Sequence, residues 1–299
     1  MTDTQTLVDP TTNQEVPSAF ARLGVETGFK PWEPEELGII LLSWSGEGKT
    51  TWASSIPHSL LIDFGNNAAG VVAPKAHRVW IKTYAQWNTL RDTLVAQAKA
   101  GKCYYNRVTI DTADEWFGIL AEKVIEDYNS HAKRKAEDIG EVGQEGKGFG
   151  GVGVLMAHEL RTLRAAGLGW LVTGHLQEKK VNDATMIRPV LAPSSFKYLV
   201  QAAHVKAQIE VDMTFYREAQ VKVGDKLITT KKKLDVPTRD YSLRIRTAEP
   251  GDEVKCRLPH LPERVPFPRH GAWDAFVEAY RKAAADGIAE ETALRAQGT

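Results

Sequence analysis

The sequence is poor in cysteine. Cys103 and Cys256 are its only two, far apart, and they fit neither a disulfide framework nor a zinc site. No apolar run approaches the roughly 18 residues of a membrane span, and the N-terminus lacks a charged-then-apolar signal pattern, so a cytoplasmic protein is expected. Charge of one sign is missing too: 38 basic residues balance 38 acidic ones. Any nucleic-acid binding must therefore come from local patches, not from a global field. Internal repeats are absent. What is present is ordinary for a globular chain: 299 residues, 42% hydrophobic and 25% charged, enough for one large domain or two small ones.

The most informative stretch is Leu41-Leu42-Ser43-Trp44-Ser45-Gly46-Glu47-Gly48-Lys49-Thr50-Thr51. An apolar run from Gly38 to Leu42 delivers the chain to a glycine-bearing loop, and Lys-Thr-Thr opens a helix that Pro57 stops. Strand, loop and helix in that order are what a phosphate-binding P-loop requires. Gly46 and Gly48 let successive N–H groups converge on one point, and the helix adds its positive end. The expected phosphate contacts run from Ser45 through Gly46, Glu47, Gly48, Lys49 and Thr50 to Thr51, with Lys49 on the β- and γ-phosphates and Thr50 on magnesium. Ser43 stands where G-x-x-x-x-G-K-[ST] has its first glycine, so the turn there must fit a side chain.

Further pieces follow in order. Residues up to about Glu35 show no sustained period and read as a tail (1–36), with one helical turn at Ala19 to Leu23. Ser59 to Asp63 reads as a buried strand ending in a carboxylate, and Arg78 to Lys82 as another strand. Ala85 to Ala100 reads as an amphipathic helix with Trp87, Leu90, Leu94 and Ala98 on one face. Arg107 to Thr112 is an apolar strand with Asp111 at its carboxyl end. About sixty residues beyond a P-loop lysine, that is the place of the aspartate that holds magnesium. A helix is expected from Ala113 to about Glu137. Gly140 to Gly153, with seven glycines in fourteen residues, reads as a mobile loop. Val152 to Ala166 has helical spacing. Gly167 to Thr173 is a core strand that emerges at His175, level with Asp111, where the side chain would sense the γ-phosphate. Gln177 to Phe196 reads as a second loop. His204 to Arg217 and Ala219 to Lys232, broken near Gly224-Asp225, read as an antiparallel hairpin ending in a run of three lysines. Tyr241 to Thr247 and Glu253 to Leu258 suggest two more strands, and Ala272 to about Ala296 a final helix.

Together these pieces resemble the RecA-like phage ATPases that act in recombination as single-strand annealing or strand-exchange partners. The resemblance covers about Gly38 to Val265. It rests on Gly46 to Thr51, the strand ending at Asp63, Ile110-Asp111-Thr112 with Glu115 following, Phe149-Gly150, Val172-Thr173-Gly174-His175 and Lys255-x-Arg257. It implies an α/β RecA-like P-loop NTPase core over 37–265, with a mostly parallel central sheet and an antiparallel hairpin extension at about 204–233, followed by a C-terminal helix in 266–299. It also implies ATP and Mg2+ bound between subunits of a ring or filament, with Lys255 and Arg257 reaching the γ-phosphate of a neighbouring subunit. The two loops would line a single-stranded DNA path, with Lys147, Lys179, Lys180 and Arg188 on phosphates and Phe149 stacked on a base. The setting is a bacterial host cytoplasm, the partners other phage recombination or replication proteins, with no membrane. The sequence departs from the family after Asp63, where Phe64-Gly65-Asn66-Asn67 carries no glutamate. The water-activating role would fall to Asp63 or Glu115. Two further readings stay open: a nucleotide-gated DNA- or protein-binding module with little hydrolysis, and a ring helicase or translocase.

Overall fold

The computed structural model describes residues 30–71, 75–143, 146–181, 184–223, 226–245, 258, 260–268 and 271–297. The tail before residue 30 and its expected turn lie outside them. So do Lys255 and Arg257, with all of their expected strand except Leu258.

The five strands β1 (Gly38–Ser43), β2 (Ser59–Asp63), β3 (His77–Trp80), β4 (Arg107–Asp111) and β5 (Gly169–Val181) form a parallel array in the order β3-β2-β4-β5-β1. Every residue of β1, β2 and β4 is buried, as expected of strands covered on both faces. β3 is an edge strand and largely exposed. On the other side of β1 lies β7 (Val205–Val223), still parallel to it. Beyond come β8 (Lys226–Arg244) and β9 (Arg264–Pro266), both antiparallel. The α/β class, the mostly parallel sheet and the antiparallel extension are those the sequence led us to expect.

Alternation along β1 sends Ile40 and Leu42 to one face of the sheet and Ile39 and Leu41 to the other. The first face is covered by α2 (Tyr84–Lys99), α3 (Ala113–His131), α4 (Lys147–Ala165) and α5 (Pro193–Ala202), around Trp87, Trp116 and Trp170. The second is covered by α1 (Lys49–Ser55) and α6 (Ala272–Gln297). There Trp52 meets Phe267, Trp273 and Phe276 at ring separations of 5.7, 6.2 and 6.3 Å. Side chains so buried stabilise by roughly 1.5–3 kcal/mol each, so α6 is part of the core it covers.

Two expected loops are regular structure. The glycine-rich segment is helical from Lys147 onward, inside α4. Four helical glycines would each cost about 1 kcal/mol by propensity, and close packing overrides that cost. A methyl group on Gly148 would overlap the Ile139 carbonyl, and one on Gly153 would lie 2.6 Å from Ser195 Cα. The segment expected as a second loop is the outer half of β5 paired antiparallel with β6 (Ala184–Pro189), followed by α5, which opens on Pro193. The expected helix after Asp111 ends earlier, at His131. Tyr241 to Arg244 belongs to β8. From Val211 and Tyr241 outward, β7 and β8 pair with each other and, among the described residues, with no other strand.

Candidate nucleotide site

The sheet order determines what converges at the carboxyl edge. β1 ends at the P-loop, and β5, β4 and β2 follow on one side of it. In the loop, Gly46 and Gly48 have φ of 82° and 92°, backbone that side-chain-bearing residues rarely adopt. Glu47 Oε2 accepts from the Trp44 N–H at 3.0 Å, which ties the loop's two ends together. Ser43, the departure from the motif, is fully buried; its hydroxyl donates to the Trp44 carbonyl at 2.8 Å. The Lys49 ammonium folds back over this turn. It donates to Trp44 O at 2.9 Å, Ser43 Oγ at 3.1 Å and Ser43 O at 3.3 Å. Burial lowers its pKa, against the opposing charges of Asp111, Asp114 and Glu47.

Thr50 and Asp111 meet as expected, with Thr50 Oγ1 donating to Asp111 Oδ2 at 2.8 Å. The other Asp111 oxygen accepts from the Thr173 hydroxyl. Thr173, not His175, is therefore level with Asp111 on β5. Burial raises the Asp111 pKa, with neighbouring Asp63 adding to the effect, while Thr173, Thr50 and Lys49 act against it. A hydroxyl beside a buried carboxylate whose charge is undercompensated fits a hard divalent cation with oxygen ligands.

His175 lies two residues beyond Thr173, inside β5, and its Nδ1 is 2.6 Å from Asp114 Oδ2. Burial alone would raise the Asp114 pKa; hydrogen bonds and charge from His175 outweigh it and lower the value. Asp114 was not singled out in the sequence. Its signal was a second carboxylate in the first helical turn after Asp111.

Glu115 sits beside this cluster. Its Oε1 accepts from Asn67 Nδ2 at 3.1 Å, while Oε2 is buried and has no hydrogen-bond partner among the described residues. A methyl group on Gly65 would occupy the space of the Glu115 carboxylate, so this approach requires glycine there. Burial raises the Glu115 pKa and Asp114, Asp63 and Asp111 add to it, against the Asn67 hydrogen bond. Asp63 has a different position. It is fully buried, accepts from the N–H groups of Asn67 and Ala68 at 3.0 and 2.8 Å, and pairs with Arg78 at 2.9 Å. It caps a helical turn and holds Arg78, a partner the sequence gave no sign of.

The five residues expected on DNA do not form one patch. Lys147 is exposed at the start of α4. Phe149 is half-buried, its ring stacked on Phe117 at 6.1 Å. Lys179 and Lys180 are exposed on opposite faces of the β5–β6 ribbon. Register places Lys179 with Met186 and, two residues along, Gln177 with Arg188, so Lys179 and Arg188 share a face.

Comparison with protein families agrees with this geometry. The AAA domain model matches residues 35–241, and the chain belongs to that family. It is thus a P-loop domain of the nucleotide-binding, ATPase class. No curated protein matches the chain. No described helix is long and apolar enough to cross a membrane.

Proposed function

We propose that this chain hydrolyses ATP when bound to single-stranded DNA and assembles with copies of itself in phage recombination or replication. The observation that carries the catalytic half is the convergence of Lys49, Thr50, Asp111 and Glu115 at one edge of the sheet. Lys49 exchanges its loop carbonyls for the β- and γ-phosphate oxygens. Thr50 and Asp111 hold magnesium, which when bound neutralises charge on those phosphates. Glu115 orients a water and takes its proton as the water oxygen bonds to the γ-phosphorus and the bond to the β-phosphate oxygen breaks. Asp114 fixes the His175 ring near the γ-phosphate. Lys255 and Arg257 act in trans on a neighbouring subunit's nucleotide, as charge placed there stabilises the transition state.

The DNA half rests on the β5–β6 ribbon and the exposed Lys147. Lys179 and Arg188 share a face suited to consecutive phosphates, with Lys180 on the reverse. The test is phosphate release from ATP with and without single-stranded DNA, beside Lys49→Ala and the double variant Lys179→Glu, Arg188→Glu. The reading expects DNA-stimulated turnover that Lys49→Ala abolishes, and stimulation that the double variant loses while basal turnover stays. Turnover indifferent to DNA in the native protein overturns the DNA assignment. A second reading, a nucleotide-gated binder with little hydrolysis, draws on the engagement of Asp63 by Arg78 and of Glu115 by Asn67. ATP-dependent DNA binding without phosphate release would establish it.

A further inference from the structure

The P-loop and the carboxylates occupy the carboxyl edge of the sheet, where a cavity of about 870 Å³ also opens beside the loop toward β7, β8 and β9. The opposite, amino edge carries a separate group of side chains. His58 stands just before β2, His77 opens β3, and Tyr104 and Tyr105 lie in the turn before β4. Their four rings meet. Tyr104 stacks on His77 with centroids 5.4 Å apart and 4° between the planes, and the His58 ring also lies 5.4 Å from it. Tyr105 meets Tyr104 and His77 edge-on at 5.3 and 5.7 Å, and its hydroxyl is 3.0 Å from His77 Nδ1. Backbone holds the group in place: His58 has a left-handed φ of 52°, and its carbonyl accepts from the Asn106 N–H at 3.1 Å, which joins the turns before β2 and β4. Packing of rings ordinarily removes them from water. Here Tyr104 stays 61% exposed, and His58 and His77 are exposed beside it.

Charge along this edge has one sign. Residues 55–59, 75–78 and 99–107, which build it, include no aspartate or glutamate. They bring Lys75, Lys99 and Lys102, all exposed. Lys102 is set just beyond the end of α2 by its N–H, which donates to the Gln97 carbonyl at 2.9 Å. Asp274 of α6 comes within 4.0 Å of the Lys75 ammonium, an exposed pair that holds it only weakly.

We propose that this amino edge binds single-stranded nucleic acid. A base stacks on Tyr104, which His77 backs, and neighbouring phosphates meet Lys75, Lys99 and Lys102. Such a strand carries π faces and negative charges on one chain. An acidic peptide would answer only the lysines, and an apolar protein surface only the rings. In a chain whose 38 basic residues balance 38 acidic ones, this is the kind of local patch that nucleic-acid binding requires. It lies at the other edge of the sheet from the β5–β6 ribbon, so the molecule meets nucleic acid at two places.

Fluorescence anisotropy of labelled oligothymidylate titrated with the full chain tests this. Tyr104→Ala should weaken binding about tenfold, and Tyr104→Phe should retain it. Lys102→Glu should weaken binding and lower the slope of log affinity against log salt by about 0.7. Thermal unfolding and DNA-free phosphate release should stay native in all three. The ribbon variant Lys179→Glu, Arg188→Glu separates the two surfaces. Binding that drops in the ribbon variant and stays native in Tyr104→Ala and Lys102→Glu overturns this site and leaves the ribbon standing. The reverse pattern supports this site and overturns the ribbon. A change of solution mass in Tyr104→Ala at unchanged DNA affinity overturns the site in favour of protein docking. Absence of binding by the native chain overturns both surfaces.

Discussion

Glu115 and Asp63 show how environment separates two carboxylates on one sheet edge. Asp63 is saturated by two N–H groups and Arg78, whereas Glu115 keeps one buried oxygen without a partner. We expect Glu115→Gln to keep ATP affinity and lower turnover by about 10²-fold or more in a phosphate-release assay. Because burial raises the Glu115 pKa, turnover should fall on acidification through an apparent pKa above the ordinary glutamate value of 4.5. The same shift has a sign for stability. A carboxylate whose folded pKa is raised destabilises the fold as pH rises through that pKa, so Glu115→Gln should raise Tm at neutral pH. Asp63→Ala works in the opposite direction. It leaves the N–H groups of Asn67 and Ala68 without their acceptor and removes the carboxylate partner of the exposed Arg78, and should cost about 1–3 kcal/mol in urea unfolding.

At the scale of the element, α4 and the β5–β6 ribbon explain what was and was not legible. Strands β1, β2 and β4 were readable because burial on both faces leaves nearly continuous apolar runs, and the P-loop was readable because its function dictates residue types at fixed spacing. α4 was not. Glycine there reports helix contacts made with distant residues, Ile139 and Ser195, and local propensity carries no trace of them. The ribbon was hidden because lysines and a glutamate occupy its exposed faces, as they do in loops. The Asp114–His175 pair spans two elements and is set by sheet register. The packing makes a prediction against propensity. Gly153→Ala, which in an open helix would stabilise by roughly 1 kcal/mol, should here destabilise by about 1–3 kcal/mol in denaturant unfolding.

The whole molecule is held across its length by α6 and by Arg107. The Arg107 guanidinium is fully buried. It donates to the carbonyls of Leu37 and Trp170 at 3.1 Å each and to that of Pro34, and it lies 4.7 Å from the Trp273 ring centre. Burial brings its pKa down to about 9, still charged at neutral pH. Deleting residues 272–299 removes Trp273, Phe276 and Tyr280 from the face they share with Trp52 and leaves Arg107 without its aromatic cover. The truncated chain should lose cooperative thermal unfolding and aggregate, which circular dichroism and light scattering would detect. A chain that keeps its fold and changes only its solution mass would assign the helix to assembly.

The cavity beside the P-loop has walls from residues 46–55, 239–241 and 266–272. During synthesis the phosphate loop leaves the ribosome long before the other two walls exist, so a nascent chain can carry a complete phosphate motif and still have no chamber beside it. The chamber closes only when the start of α6 has been made and packed against α1, where Trp273 meets Trp52.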